Sequence, residues 1–517
     1  MKGRRVDLAL GAIALAFGSV SLAYPFGRDQ GLFYYVGREW FLRGSIPYKD
    51  VFEQKTPFIF AIHGLLIALT GENMWAIRLA DLVAIFFIGL FASKLVAKTE
   101  PTSYGTAGAA MLASSGFYYG YFSFDDTANC EIWCVLFTLG SIVAAKTIHP
   151  APLACVIAGL SLGVGILAKP PTIWFTPFVL HALYARAPRG SFSFAQHARS
   201  LALFGAGVAF AVGGVLLYFQ RQGALEAMID VVLRANIHHA VHERLSLSDI
   251  GKRTALRVDW FSPYSYFFFA VTLGATSVGL RRGDRSMTRR YAFPLLLMIA
   301  AYGAIAMQLK FFDYYFGLMV LPAAVFGATV YDDVFRWAPV RKSLVPAIFA
   351  AGVVGVSAGM VPPDVWVEHA RTAIDIVRGR QSWEQRAVQF HKGTLDLANS
   401  LRAGEWLRAN SSPDDSILVR GYEPQIYAFA ERRFIGRFFW STFLTQPTRV
   451  YRRSEWLAQD EDALATSPPR YVVAFANPWA GIDSTHWFEQ RGYAMREVFG
   501  PFVIMQCASD CGRDRQP

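Results

Sequence analysis

The chain has 517 residues, of which 53% are hydrophobic and 17% charged, and it carries a formal net charge of +11. The charged share lies well below the roughly 25% of soluble domains, which excludes an ordinary soluble protein. Much of the basic excess sits in short segments between apolar blocks, so it reads as the charge bias of membrane loops and not as a nucleic-acid surface.

Taken in chain order, Met1-Lys2-Gly3-Arg4-Arg5 precedes an apolar run reaching Phe26. The run resembles a signal peptide, and Ser21-Leu22-Ala23 resembles a cleavage site. Because further apolar blocks follow, it reads as an uncleaved anchor with its N-terminus in the cytoplasm. Blocks follow at 75–97, 103–122, 129–146, 151–168, 171–185, 200–219, 262–281, 291–308, 314–332 and 344–361. A span needs about 20 apolar residues, so the anchor and these blocks make about eleven transmembrane helices. Alternation then puts Lys94/Lys98, Lys146, Arg186/Arg189/Arg199, the Arg281–Arg290 cluster and Arg336/Arg341/Lys342 on the inner side, as the positive-inside bias requires. Residues 57–71 are apolar but too short to span. Counting them would reverse every later loop, so they read as a re-entrant or interfacial segment within a long first outer loop, 27–74.

Beyond Val361 the chain reads as globular sequence on the outer side. Thr394 to Ala409 has leucines and a tryptophan at helical spacing. Ser411 to Asp415 is a turn signal, and Ser416–Val419 and Tyr471–Phe475 read as buried strands. The predicted organisation is therefore a transmembrane domain, 1–361, followed by an exported α/β domain, 362–517. Cys130, Cys134 and Cys155 fall in or near apolar helices and read as packing residues. Cys507 and Cys511, in the tail, can pair if the tail is exported.

This topology collects ionisable groups on the outer face. Loop one carries Arg28-Asp29-Gln30-Gly31, Pro47-Tyr48-Lys49-Asp50 and Glu53-Gln54-Lys55. Later loops carry Asp125-Asp126 with Glu131, Lys169-Pro170-Pro171, Asn236-Ile237-His238-His239, and Lys310-Phe311-Phe312-Asp313-Tyr314-Tyr315. Each has a bland reading. Asp29 and Asp125/Asp126 fit helix caps, Glu53/Lys55 a surface pair, Lys169 a snorkelling side chain, and the tyrosines an aromatic belt. Together they carry more weight, because ionisable groups at helix ends inside a bundle are costly and are retained for function. A carboxylate can take a proton from an attacking hydroxyl, and lysines can hold a lipid phosphate and offset its charge as it departs. A glutamate with one or two histidines can hold a divalent metal.

The ordered series R-D-Q-G-x-F-x-Y, G-x-x-P-Y-x-D, F-E-x-K-x-P, N-C-E, K-F-F-D-Y-Y-F-x-L-x-x-L-P and S-I-L-V-R-G-Y-E-P-Q-I-Y resembles bacterial GT-C glycosyltransferases. The likeness is to the group related to protein O-mannosyltransferases and the lipid A aminoarabinose transferase. It implies a GT-C-like polytopic fold with a periplasmic α/β domain in the inner membrane. It also implies an inverting hexosyl or pentosyl transferase that moves a sugar from a polyprenyl-phosphate donor to a lipid (lipid A or other glycolipid), polysaccharide (lipopolysaccharide core or cell-envelope polymer) or protein acceptor. On that likeness Asp29 matches the essential first-loop acid. Glu131, Asp126 or Asp125 matches the second acid. Lys55, with Lys169 and Lys310, would serve the donor phosphate, and Glu53 with His238 or His239 a divalent cation. Two departures stand out: Asp29-Gln30 where many members have Asp-Glu, and one residue inserted between Glu53 and Lys55. The rival reading is a transporter or a flippase of lipid-linked sugars, whose usual internal repeat is not seen in this sequence.

Overall fold

The structure, a computed structural model, describes residues 2–96, 103–121, 125–186, 193–243, 246–260, 264–337, 349, 352–353, 363–380, 382, 391–392, 395–440, 444, 451–477 and 482–508. It divides into two compact units. The first comprises Met1–Tyr24, Trp75–Tyr218 and Arg244–Arg371; the second comprises Pro25–Met74, Phe219–Glu243 and Thr372–Pro517.

The first unit is helical. Its apolar blocks fold as α1 (Lys2–Ser19), then, after α2 and α3 of the other unit, α4 (Ala76–Val96), α5 (Ser103–Tyr121), α6 (Cys130–Thr147) and α7 (Ala151–Ala168), followed by Tyr264–Arg281 and Arg285–Ala306. Phe194–Arg221 forms one further long helix. By length and apolar composition, five helices among the described residues can cross a membrane: Ala76–Val96, Cys130–Thr147, Ala151–Ala168, Phe194–Arg221 and Asp313–Val334. This is a multi-pass membrane protein. The expected block at 171–185 is broken into a 3-10 turn, Pro170–Phe175, and a short helix, Thr176–Tyr184. Pro170, Pro171 and Pro177 explain the break, since proline lacks the amide that an unbroken helix needs. Most of block 344–361 lies outside the described residues.

Helices α6 and α7 pack through small residues and hydroxyls. Ser141 Oγ donates to the Ala158 carbonyl at 2.7 Å, and Ser161 Oγ to that of Phe137 at 2.8 Å. Such contacts let helices approach where no hydrophobic force drives them together. Cys130, Cys134 and Cys155 are buried, as packing residues should be. Residues read from charge as inner ones gather at one helix end. Lys146 donates to the Leu95 carbonyl at 2.8 Å, and Arg186 to those of Ala145 and Ile148 at 2.9 and 2.6 Å.

The second unit joins the first-loop segment to the C-terminal part. Its α2 (Arg28–Arg43) and α3 (Pro57–Thr70) pack by aromatic contacts, with Phe33 and Phe60 ring centroids 6.2 Å apart. Proline opens α3 and Gly71, at φ +79°, closes it. Its 14 residues make about 21 Å at 1.5 Å per residue, short of the roughly 30 Å hydrocarbon core. The C-terminal part carries a small five-stranded sheet. Strand Ile417–Arg420 runs parallel to Tyr471–Asn477, which pairs antiparallel with Phe502–Cys507, and that strand pairs with Tyr493–Phe499. Ile482–Asp483 adds a short antiparallel pairing at the end of Tyr471–Asn477. Helix Leu397–Asn410 is capped by Asp396, whose Oδ1 accepts from the Asn399 amide at 3.1 Å. Cys507 is disulfide-bonded; Cys511 lies outside the described residues.

Candidate functional site

The sequence-predicted residues fall into two clusters, one in each unit. In the second unit, α2 starts after the extended Gly27, and the Gln30 side-chain carbonyl accepts from the Gly27 amide at 2.9 Å. Gln30 therefore closes the first helical turn, a task glutamate performs equally well, so the departure at this position leaves the local fold intact. Asp29 sits in that first turn, where the helix dipole favours a negative charge. It is half-buried, and its Oδ2 is shielded from water with no hydrogen-bond partner among the described residues.

The loop after α2 is pinned at Tyr48, which has φ +71° and whose hydroxyl donates to the Lys55 carbonyl at 2.9 Å. Glu53 is 3% exposed. Its Oε1 accepts from the Lys55 amide at 3.2 Å, while its Oε2 is buried without a partner. Burial pushes the Glu53 carboxyl up to about 7; the Lys55 charge pulls against this and the Asp29 charge adds to it. Asp29 and Glu53 thus share one electrostatic neighbourhood. The inserted residue of the Glu-x-Lys spacing has a use, because the Gln54 carbonyl accepts from Asn236 Nδ2 at 3.3 Å. That bond fastens the loop to helix Ala235–Glu243, which carries His238 and His239. The His238 ring lies 5.8 Å from that of Tyr451; the side chain of His239 lies outside the described residues. Among the described residues no three of His, Cys, Asp and Glu converge as a ready-made metal cage. Glu53 Oε2, buried without a hydrogen-bond partner among the described residues, is an oxygen of the kind that ligates a divalent cation.

In the first unit, Lys169 pairs with Glu131 in a short contact, both side chains buried. The lysine follows α7, which the two prolines end, and its Nζ stands 3.4 Å from the Tyr315 ring centroid and 5.6 Å from that of Tyr314. A cation held over a tyrosine face is stabilised by the ring quadrupole. Gly317 permits this packing, since a Cβ there would stand 2.9 Å from the Glu131 Cβ. The turn before α6 is fixed by Tyr118, whose hydroxyl accepts from the Ala128 amide at 2.8 Å and donates to Asp81 at 3.2 Å. Asp81 also accepts from Tyr119 at 2.9 Å, and Arg78 reaches the Tyr24 carbonyl at 3.2 Å and Thr127 Oγ1 at 3.3 Å. Arg78 and Asp81 are thereby satisfied inside the bundle. Asp125 and Asp126 are half-buried in that turn, where the Asp126 carbonyl accepts from Asn129 Nδ2 at 3.0 Å. Lys310 is half-buried before the 3-10 segment Asp313–Met319, flanked by Leu309 and Phe311 at positive φ. The same unit holds an apolar cavity of about 300 Å³ lined by Phe117, Phe268, Phe269, Met298, Phe316 and Met319 among others.

Sequence reasoning missed several partners. Tyr315 was read as an aromatic-belt residue. Asp230, on the π-helical turn Ile229–Arg234, accepts from Arg452 and Arg234, each at 2.5 Å, with no motif to announce it. Arg28 and Glu423 form an ion pair at 2.7 Å, although each stands in a motif already singled out.

Residues 54–218 match the family model described as "Dolichyl-phosphate-mannose-protein mannosyltransferase". No curated protein matches the chain. Among solved structures, the chain is similar in fold to ArnT from Cupriavidus metallidurans bound to undecaprenyl phosphate, with a TM-score of 0.58 and 12% identity over 98% of this chain and 99% of that one.

Proposed function

We propose that this chain is a polyprenyl-phosphate-sugar-dependent glycosyltransferase of the protein O-mannosyltransferase- and ArnT-like kind, a reading supported by the family-model match over residues 54–218 and by the fold shared with ArnT. The observation that carries the reading is Asp29, placed in the first turn of α2, whose carboxylate has one oxygen hidden from water and without a hydrogen-bond partner among the described residues. An acceptor hydroxyl attacks the anomeric carbon of the donor sugar and passes its proton to Asp29. The carbon–oxygen bond to the lipid phosphate breaks, the configuration inverts, and the lipid phosphate leaves. Lys55 in one cluster, and Lys169 and Lys310 in the other, are the candidate cations for that phosphate. Glu131 is the candidate second acid by its burial and its lysine partner. The apolar cavity suits an isoprenoid segment. Glu53, with His238 or His239, would hold a divalent cation, which when bound would offset phosphate charge. The disulfide at Cys507 supports export of the tail, and with it a reaction on the periplasmic face of the inner membrane, with a lipid, polysaccharide or protein acceptor.

The purified protein in liposomes should consume a radiolabelled polyprenyl-phosphate hexose or pentose and label an acceptor in envelope extract. Movement of the donor between leaflets without consumption would instead establish a flippase.

The Glu53 carboxyl at about 7 gives this reading a pH signature. Protonation below about pH 7 removes the charge that attracts a cation. Transfer should therefore fall about tenfold per pH unit on the acid side when the metal is limiting, and saturating divalent cation should move that limb to lower pH. Glu53→Gln should abolish both the limb and its metal dependence in kcat/KM profiles taken from pH 5 to 9.

A further inference from the structure

The motifs R-D-Q-G and G-Y-E-P-Q of this unit are physical partners although 395 residues separate Arg28 from Glu423. Arg28 Nη2 donates to Glu423 Oε1 at 2.7 Å, with the glutamate side chain wholly buried and the arginine 30% exposed. The other Glu423 oxygen accepts from the Gln425 amide, which also donates to Ser400 Oγ at 3.3 Å. The Arg28 guanidinium lies 5.6 Å from the Tyr422 ring centroid. Backbones meet here too, for a Cβ on Gly31 would stand 2.4 Å from the Cα of Gln425. The first turn of α2, which carries Asp29, is thus held to the Glu423–Gln425 segment by an ion pair and, one helical turn on along the same face, by direct backbone approach.

A fully buried carboxylate costs several kcal/mol unless it is paired and hydrogen-bonded. Nothing in the sheet beside it requires an acid, since strand Ile417–Arg420 is held by its own ladder to Tyr471–Asn477. What the carboxylate does in this structure is hold the residue that directly precedes Asp29.

We propose that Glu423 is a positioning residue for Asp29: through Arg28 it fixes the opening turn of α2, so that the C-terminal segment Tyr422–Gln425 sets the aim of the acid. The inference rests on the reading of Asp29 as the proton acceptor of a sugar transfer. A small misplacement of a reacting group can cost as much as 10²-fold in rate. Glu423→Gln, which preserves shape and removes the charge, should lower kcat about 10- to 100-fold and leave the donor KM nearly unchanged. Arg28→Gln should do the same, and the double variant should be no worse than the worse single one, because both changes break a single interaction. Independently of any activity, hydrogen exchange on the full-length protein in nanodiscs should quicken at the α2 amides of Gly31–Tyr34 in Glu423→Gln, with the sheet amides unchanged. Should Glu423→Gln fail to reach the membrane, Arg28→Lys offers the same readouts, as lysine keeps the charge but not the forked geometry.

Wild-type turnover by Glu423→Gln would overturn the proposal. So would rate losses that multiply in the double variant, or faster exchange spread over the whole unit, which would mark a merely structural role. If the wild type transfers no sugar from any polyprenyl-phosphate donor, the transferase reading fails by itself. Exchange confined to the α2 opening would then still uphold the positioning contact, and unchanged exchange would overturn it.

Discussion

Asp29→Asn should lower sugar transfer by about 10²- to 10⁴-fold, the usual worth of a positioned general base, with membrane insertion and thermal stability unchanged. The separation of the two effects follows from what Asp29 does not touch. Its Oδ2 has no hydrogen-bond partner among the described residues, so an amide at that position breaks no hydrogen bond that they make. The helix start survives, because Gln30 and Gly27 close the turn between themselves. The Arg28–Glu423 pair survives because neither atom belongs to residue 29. A loss of dipole stabilisation at the helix N-terminus would amount to about 0.3–1 kcal/mol, too little to displace an insertion or melting measurement far. Initial rates with a labelled polyprenyl-phosphate donor, beside melting curves of the two proteins in the same detergent, test this directly. Undiminished turnover by Asp29→Asn would remove the base from the mechanism. Equal loss of turnover and of melting temperature would turn Asp29 into a structural cap.

Much of this arrangement was legible in the sequence, and the parts that were not share a cause. Elements written as local patterns came through: leucine spacing gave a helix at 394–409 that is found at Leu397–Asn410, and the two apolar runs gave strands, whose parallel pairing the structure adds. Asp29, Glu53 and Lys55 stand in one predicted outer loop, and the charges of Asp29 and Lys55 both act on the Glu53 carboxyl. Proline chemistry at Lys169-Pro170-Pro171 was visible but underused, since it forecasts the break in the apolar block that follows. Partnerships across long sequence distances were not legible. Nothing local in R-D-Q-G names Glu423 as the counter-ion of Arg28, and nothing in N-C-E names Lys169 rather than another lysine as the partner of Glu131. The same limit explains the grouping of Pro25–Met74 with Thr372–Pro517 in one compact unit: hydropathy sorts residues into apolar and polar runs, and it says nothing about which polar runs pack together.

Lys169 and Glu131 form the contact whose disruption should cost most in stability. Both side chains are buried, and the lysine sits against the Tyr315 face. Removing one member of a buried ion pair leaves the other charge desolvated and unpaired, at about 3–5 kcal/mol, whereas replacing both with uncharged groups of similar shape is often nearly neutral. Lys169→Met should therefore melt well below the wild type and transfer poorly. Adding Glu131→Gln to it should recover most of the lost stability. Activity decides what the pair is for. If the pair only holds the bundle together, the double variant regains turnover along with its melting temperature. If Lys169 serves the donor phosphate and Glu131 acts as the second acid, the double variant is stable and remains inactive, with weakened retention of polyprenyl phosphate. The stable, inactive double variant is the outcome expected on the transferase reading, in which the lysine carries a cation for the donor phosphate. Melting curves, transfer rates and polyprenyl-phosphate retention on the wild type, Lys169→Met and the double variant separate the two roles.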